Sequence, residues 1–316
     1  MRRSLKDYFN IGLKGMAMGA ADVVPGVSGG TIAFISGIYQ ELIHTISGVN
    51  ISLLGIWRKK GFSAMWKALN GNFILALFAG ILVSFFSLMR LANYLLENHP
   101  VLIWSFFFGL VLASIFYVAK QIPKWNIKIV LWGLLGAVVA FYIVSLPPMA
   151  AAQSDLFLFF AGAIAICAMI LPGISGSFIL VLLGAYKTVS EATHDFDFKT
   201  LGIIGVGAVF GLLTFSRLLK WLFANYSTIT LAVLTGFIAG SLNKIWPWKK
   251  VLETAQYGDK SVVLREESVL PWNFAGESNL WAAVALMLAG FALILILERL
   301  AESKPESEEN AANPNA

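Results

Sequence analysis

Charged side chains are absent from Val101–Ala119, Ile129–Leu146 and Leu280–Leu297, runs of 19, 18 and 18 residues. A helix crossing a bilayer core needs roughly 20. The same apolar pattern, with few charges, covers Phe73–Tyr94, Leu201–Phe223 and Thr228–Asn243. Two further apolar segments are interrupted. Between Asp155 and Lys187 lie 31 uncharged residues broken by Pro172-Gly173. Two full crossings would need about 40 residues plus a turn, and one straight helix would overshoot. The pattern therefore predicts a hairpin that enters, breaks at the Pro-Gly and leaves by the same face. Its arms, Leu156–Leu171 and Ser177–Tyr186, would be about 24 and 15 Å long. The other interrupted segment carries Lys14 and Asp22 in its leading arm, which makes that arm amphipathic.

These two segments are copies of one another. An ungapped alignment of Pro25–Tyr39 with Pro172–Tyr186 keeps seven identities in 15 positions: Pro25, Gly26, Ser28, Gly29, Ile32, Gly37 and Tyr39. The match resumes at a smaller offset, pairing Gly80 with Gly207, Arg90 with Arg217, Asn98 with Asn225, Gly109 with Gly236 and Ser114 with Ser241. The extra residues of the first half fall around Ile51–Asn70 and read as a polar loop. Each half thus holds one broken segment and three spans, and three crossings reverse the side on which the second half starts. Loop charge agrees: the first 14 residues, Arg58–Lys67, Lys120–Lys128, Arg217 with Lys220, and Arg299 fall on one side, as cytoplasmic loops do.

The expected fold is an all-α integral membrane protein of two inverted-topology repeats, each a re-entrant helical hairpin plus three transmembrane helices. The first repeat is 1–147, with a hairpin about 8–47 and spans about 72–95, 101–120 and 128–147. The second is 148–300, with a hairpin about 155–190 and spans about 200–223, 226–246 and 279–299. Residues 301–316 read as a disordered cytoplasmic tail, and Lys244–Leu280 as an external loop.

The broken loops carry the candidate chemistry. Pro25 and Pro172 withhold an amide proton and end the entering arm, while Gly26 and Gly173 permit close approach. Ser28, Gly29, Gly30 and Thr31 in one loop, and Ser175, Gly176 and Ser177 in the other, then open a new helix. Its first amides lack intrahelical acceptors and carry partial positive charge, so an anion would satisfy them. Tight helix packing at small residues is the plainer alternative. Arg90 and Arg217 either neutralise a phosphate or snorkel to opposite interfaces. Asp22 and Glu41 are candidates to carry a coupling proton, or to form ordinary ion pairs.

Composition narrows the class further. With 58% hydrophobic and 13% charged residues, the chain has too little polar surface for a soluble globule of its length. The basic start, Arg2 and Arg3, reads as retained, since the apolar run behind it contains Lys14 and belongs to the duplication. The net charge of +5 is spread over loops without an aromatic platform, which argues against nucleic acid as a partner. The lone Cys167 excludes an intrachain disulfide. No spacing suggests a metal, cofactor or nucleophile with a base, and the loop lacks the lysine of a nucleotide P-loop. A transporter is expected, of unspecified oligomeric state.

At Gly12–Asp22, Val24-Pro-Gly-Val-Ser-Gly-Gly-Thr31, Leu171-Pro-Gly-Ile-Ser-Gly-Ser177 and Phe108-Gly-Leu110, the chain resembles the polyprenyl-phosphate transporter (PopT) family of bacterial and archaeal membrane proteins. The resemblance implies a polyprenyl phosphate lipid as substrate. Specifically, it implies undecaprenyl phosphate flipped from the outer to the cytoplasmic leaflet of the inner membrane for envelope synthesis, both termini being cytoplasmic. The second loop departs from the first, with Ser177 and Phe178 where the first has Gly30 and Thr31. A secondary transporter for a small soluble anion is the alternative that the same helix ends would serve.

Overall fold

The computed structural model describes residues 3–23, 28–149, 154–257 and 260–302. Two broken arms and their sequels come first in each half. In the first, α1 (Leu5–Val23), α2 (Gly29–Ile35) and α3 (Tyr39–Ser47) precede α6 (Gly71–Asn98), α7 (Pro100–Lys120) and α8 (Ile127–Ser145). In the second, α9 (Asp155–Ile170), α10 (Gly176–Leu182) and α11 (Tyr186–His194) precede α12 (Phe198–Ser241) and α13 (Leu280–Glu302). Helix α12 is two helices joined at Tyr226, whose φ of −138° and ψ of 42° are not helical. The matching residue of the first half, His99, has φ −137° and ψ 48° and separates α6 from α7. The same break thus recurs where duplication requires it.

Two segments depart from expectation. Ile51–Asn70 is not a plain polar loop but forms α4 (Ser52–Lys60) and α5 (Phe62–Ala68). Leu53, Leu54 and Trp57 on α4, and Phe62, Met65 and Trp66 on α5, recur at helical spacing between the basic residues. Such a pattern suits a helix lying in a membrane interface better than an irregular loop. Lys244–Leu280 contains the one sheet among the described residues, an antiparallel pair of β1 (Lys249–Tyr257) and β2 (Lys260–Ser268). The remaining described elements are helical.

By length and composition, four stretches of helix are apolar enough to cross a membrane: Gly71–Leu88, Pro100–Lys120, Ile127–Ser145 and Phe198–Ile245. Asp155–Ile170 and Leu280–Ile296 are shorter apolar helices. Their outward faces fit the same solvent. Helix α8 exposes Leu131, Leu135, Val138 and Tyr142, and α12 exposes Val206, Val209 and Phe210, apolar surface that water would penalise.

Helix pairing repeats between halves through glycines. Helix α1 packs along α6 and α9 along the first part of α12; α7 packs along α13 and α8 along the second part of α12. At Gly80 a side chain would strike the carbonyl of Gly12, and at Gly207, its counterpart, the carbonyl of Phe159. Gly109 lies against Met287 and Gly236 against Gly133 in the same manner. These contacts let backbones approach, which drives association where no hydrophobic force separates helix from lipid. The spans of one half therefore embrace those of the other. The largest buried cluster contains Ile32, Phe34, Ile35 and Ile38 on one side and Ile170 and Ile238 on the other.

Candidate functional site

Both broken loops are built by the same local chemistry. Ser28 is extended at φ −115° and ψ 129°, and its hydroxyl accepts the Gly30 amide at 3.1 Å, capping α2. Ser175, at φ −93° and ψ 147°, accepts the Phe178 amide at 3.3 Å and caps α10. Each short helix then stops in the same way. Gly37 at φ 72° and Gly184 at φ 68° take the left-handed conformation. The amides of Gly37 and Ile38 return to Phe34 and Ala33, and those of Gly184 and Ala185 to Val181 and Leu180. This is the paired Schellman closure that glycine permits.

The two loops meet each other. Helix α9 ends at Ile170, two residues before Pro172, and its last carbonyls are left without intrahelical donors. The Ser28 hydroxyl lies 3.1 Å from both the Met169 and the Leu171 carbonyl oxygens and donates into them. In return, the Gly173 amide donates to Thr31 Oγ1 at 2.9 Å. Gly30 lies against the Ile170 carbonyl so closely that a Cβ would sit 2.5 Å from its oxygen. Gly173, at φ 101°, leaves no room for a side chain beside Ser241. Ser28, Thr31 and Pro172 are almost wholly buried. The result is a polar seam between the halves inside an apolar bundle.

In the first loop the helix-start amides are not vacant, contrary to expectation. Asp22, at the end of α1, folds its carboxylate back onto the turn and accepts the Gly29 amide at 2.7 Å. With Ser28 on the Gly30 amide, the chain supplies its own acceptors at the place expected for an anion. The halves differ here, because Met169 occupies the position of Asp22 in the second copy. Pro25 and Gly26 lie outside the described residues. Gly176 and Ser177 open α10, and the Ser175 and Ser177 hydroxyls are 3.3 Å apart.

Arg217 and Glu41 do not join the seam. Arg217 donates to the Val49 carbonyl at 2.9 Å, beside a shallow cavity lined by Val49–Ser52, Leu54 and Leu213. Arg90 is in α6, and its side chain lies outside the described residues. Glu41 receives both guanidinium nitrogens of Arg3 at 2.7 Å and the Asn70 amide at 2.8 Å, an ion pair tying the N-terminal segment to α3. Lys14 donates to the Ser36 carbonyl at 2.7 Å. Among the described residues no cluster of His, Cys, Asp or Glu is placed to hold a metal ion.

Two features were not singled out from the sequence. Ser241 was visible only as the duplicate of Ser114, without a role. A cluster of Lys244, Lys249 and Glu266 sits in the segment expected to be an external loop. There Glu266 Oε1 accepts from both lysines at 2.8 Å.

Residues 18–262 match the family described as undecaprenyl phosphate translocase-like. The chain belongs to that family. A relative from Vibrio cholerae serotype O1, named polyprenyl-phosphate transporter, is 46% identical over 301 residues, covering 94% of this chain and 98% of its own. A second of the same name, from Staphylococcus aureus, is 33% identical over 259 residues, covering 76% of this chain and 86% of its own. No solved structure matches. As a member of the translocase-like family the chain is a multi-pass membrane transporter and not an enzyme.

Proposed function

We propose that this protein moves polyprenyl phosphate across a bacterial inner membrane, carrying undecaprenyl phosphate from the outer to the cytoplasmic leaflet for reuse in envelope synthesis. The observation that carries this reading is the seam: two Pro-Gly-x-Ser-Gly loops, one from each half, joined by Ser28, Thr31 and Gly173 within an otherwise apolar bundle. A polyprenyl tail can stay in lipid throughout. Only the phosphate needs shelter, since an unpaired charge in hydrocarbon is expensive. Polar backbone at that depth is tolerated where it is buried in protein or lines a cavity.

In this reading the halves have inverted topology and α1–α2 and α9–α10 are re-entrant, so that the loops approach the seam from opposite faces. The duplicated elements and the one-sided loop charge support it. Movement of the spans opens the seam, and the phosphate takes the amides of Gly29 and Gly30 from Asp22 and Ser28. Gly26, Gly173, Ser175, Gly176 and Ser177 complete the passage, and Arg90 and Arg217 stand at its two ends. Asp22, displaced, is the group that carries a proton with the lipid. Each negative charge moved inward otherwise works against an inside-negative potential by about 2.3 kcal/mol per 100 mV.

The test is flipping of labelled undecaprenyl phosphate in sealed proteoliposomes under an imposed pH gradient. Wild type accelerates flipping, and the gradient increases the rate. Asp22→Asn keeps an acceptor for the Gly29 amide, so the protein folds, but the rate no longer follows the gradient. Flipping by wild type no faster than in empty vesicles removes the translocase reading. A gradient response that survives in Asp22→Asn removes the coupling role alone.

A further inference from the structure

The outer end of the bundle, in the topology proposed above, is closed by the Lys244–Leu280 segment. Its attachment is specific. Trp248, 2% exposed, donates its indole N–H to the Ser278 carbonyl at 2.8 Å and packs with Val101 and Ala283. Trp246 donates to the Val269 carbonyl at 2.8 Å and meets the Phe108 ring edge-on at 5.4 Å. This bolts the β-hairpin to α7 and α13.

Under that cover lies an unbalanced charge cluster. Lys244 and Lys249 share one oxygen of Glu266, and Lys249 also donates to the Lys244 carbonyl. The Lys249 side chain is 9% exposed and those of Lys244 and Glu266 are 22% and 21% exposed. The Lys249 ammonium lies 4.9 Å from the Trp104 ring centre and that of Lys244 4.6 Å from Phe178. Two ammonium groups and one carboxylate leave a single positive charge in excess. Among the described residues, the charged groups acting on Lys249 are Glu266 and Lys244.

Holding a hairpin in place requires at most one cation per carboxylate, and burying a second is costly unless an anion completes the set. Phe178, beneath Lys244, directly follows Ser175-Gly176-Ser177, so the excess charge stands over the second loop. Beside it is a cavity of about 350 Å³ lined by Phe108, Leu242, Asn243, Trp246, Ser268, Val269 and Leu270. Lys244 lies between Asn243 and Trp246 in the chain, and Ser268 faces Lys249 in the strand register. The cavity is therefore mainly apolar and aromatic, and its polar members, Asn243 and Ser268, are the chain neighbour of Lys244 and the strand partner of Lys249.

We propose that Lys244 and Lys249 form a receiving site for a phosphate monoester at the outer face, with the first isoprenoid units of the same lipid lying against Phe108 and Trp246. The site rests on the translocase reading and comes before the seam in the transport path. Glu266 holds both lysines in position and sets the affinity by partly neutralising them, so that the phosphate binds and is also released. Charge-assisted contacts give the phosphate, and not the tail, most of the discrimination.

The test uses the purified full chain in detergent, titrated with farnesyl monophosphate, inorganic phosphate and farnesol in separate arms, with thermal melting as a check on folding. Farnesyl monophosphate binds more tightly than either fragment. Replacing both lysines (Lys244→Gln with Lys249→Gln) weakens it by about tenfold or more, and Lys249→Arg restores binding in place of Lys249→Gln. Glu266→Gln tightens it, the opposite of what a merely structural ion cluster would show. Equal binding by the double variant at an unchanged melting temperature, or weaker binding in Glu266→Gln with the fold intact, overturns the receiving site. Flipping by wild type in proteoliposomes keeps that failure separate from failure of the translocase reading, because it is measured without reference to these lysines.

Discussion

A single hydrogen atom at Gly30 decides whether the loops can touch. A methyl group there would meet the Ile170 carbonyl, a backbone atom that cannot swing aside. Gly30→Ala should therefore destabilise the protein by about 1–3 kcal/mol through overpacking, read as a lower melting temperature and a lost flipping rate. Gly37→Ala has open space around it but a positive φ of 72°, so its cost is backbone strain and its effect on transport should be smaller. Thr31 offers a second comparison. Thr31→Val leaves the Gly173 amide without an acceptor, at about 1–3 kcal/mol, while Thr31→Ser restores it and should recover both melting temperature and flipping. The turn and cap at Ser28, Gly29 and Gly30 were legible because backbone chemistry is local: a proline, glycines and a capping serine dictate a broken helix wherever they occur. That Asp22 would fold onto Gly29, or that Ser28 would donate 141 residues away to Met169, depends on which helix ends become neighbours.

At the scale of elements, the duplication predicted more than the apolar pattern did. Helices α2 and α10, and α3 and α11, begin and end 147 positions apart, and the backbone break at His99 is repeated at Tyr226. Composition hides α4 and α5, because basic residues dominate it while the apolar residues that set the face recur at helical spacing. The β-hairpin shows the opposite case: alternating charge in Lys249–Ser268 averages to nothing in sequence, yet pairing across strands gathers Lys249 and Glu266. Burial there pulls the Lys249 amine down to about 8, with Lys244 adding to the fall and Glu266 opposing it. Burial alone would raise the Glu266 carboxyl, but the two lysines outweigh it and hold it below its ordinary value. Glu266 thus stays charged while Lys249 loses its proton as pH rises. A group with a pKa of 8 is about nine-tenths charged at pH 7 and about one-tenth at pH 9. A phosphate monoester, with its second pKa near 6, is already about nine-tenths doubly ionised at pH 7 and changes little over that window. Farnesyl monophosphate affinity should accordingly fall several-fold from pH 7 to pH 9 in wild type, and Lys249→Arg should flatten the profile. An unchanged affinity across that range in wild type would show that the Lys249 charge does not reach the ligand.

For the whole molecule, inverted topology makes a prediction independent of transport. In a Cys167→Ser background, single cysteines at Lys59 and Lys124 should react with an impermeant maleimide only after right-side-out vesicles are opened. Those at His194 and Glu277 should react while the vesicles are sealed. All four are exposed and lie outside the long apolar helices. Labelling of His194→Cys and Lys124→Cys from the same side would dismantle the inverted arrangement and the seam's access from both faces. The sequence by itself determined that the chain lives in a bilayer, that it is built twice, and where each half must break. These follow from hydropathy, internal identity and backbone chemistry, which act over a few residues or by simple comparison. Only the tertiary structure decided that the two breaks face each other, that a carboxylate and a serine already occupy the amides of the first, and that Arg217 does not join them. The reason is that a hydrogen bond needs its partner within about 3 Å, and which distant groups come that close is set by how glycine-lined helices from the two halves pack.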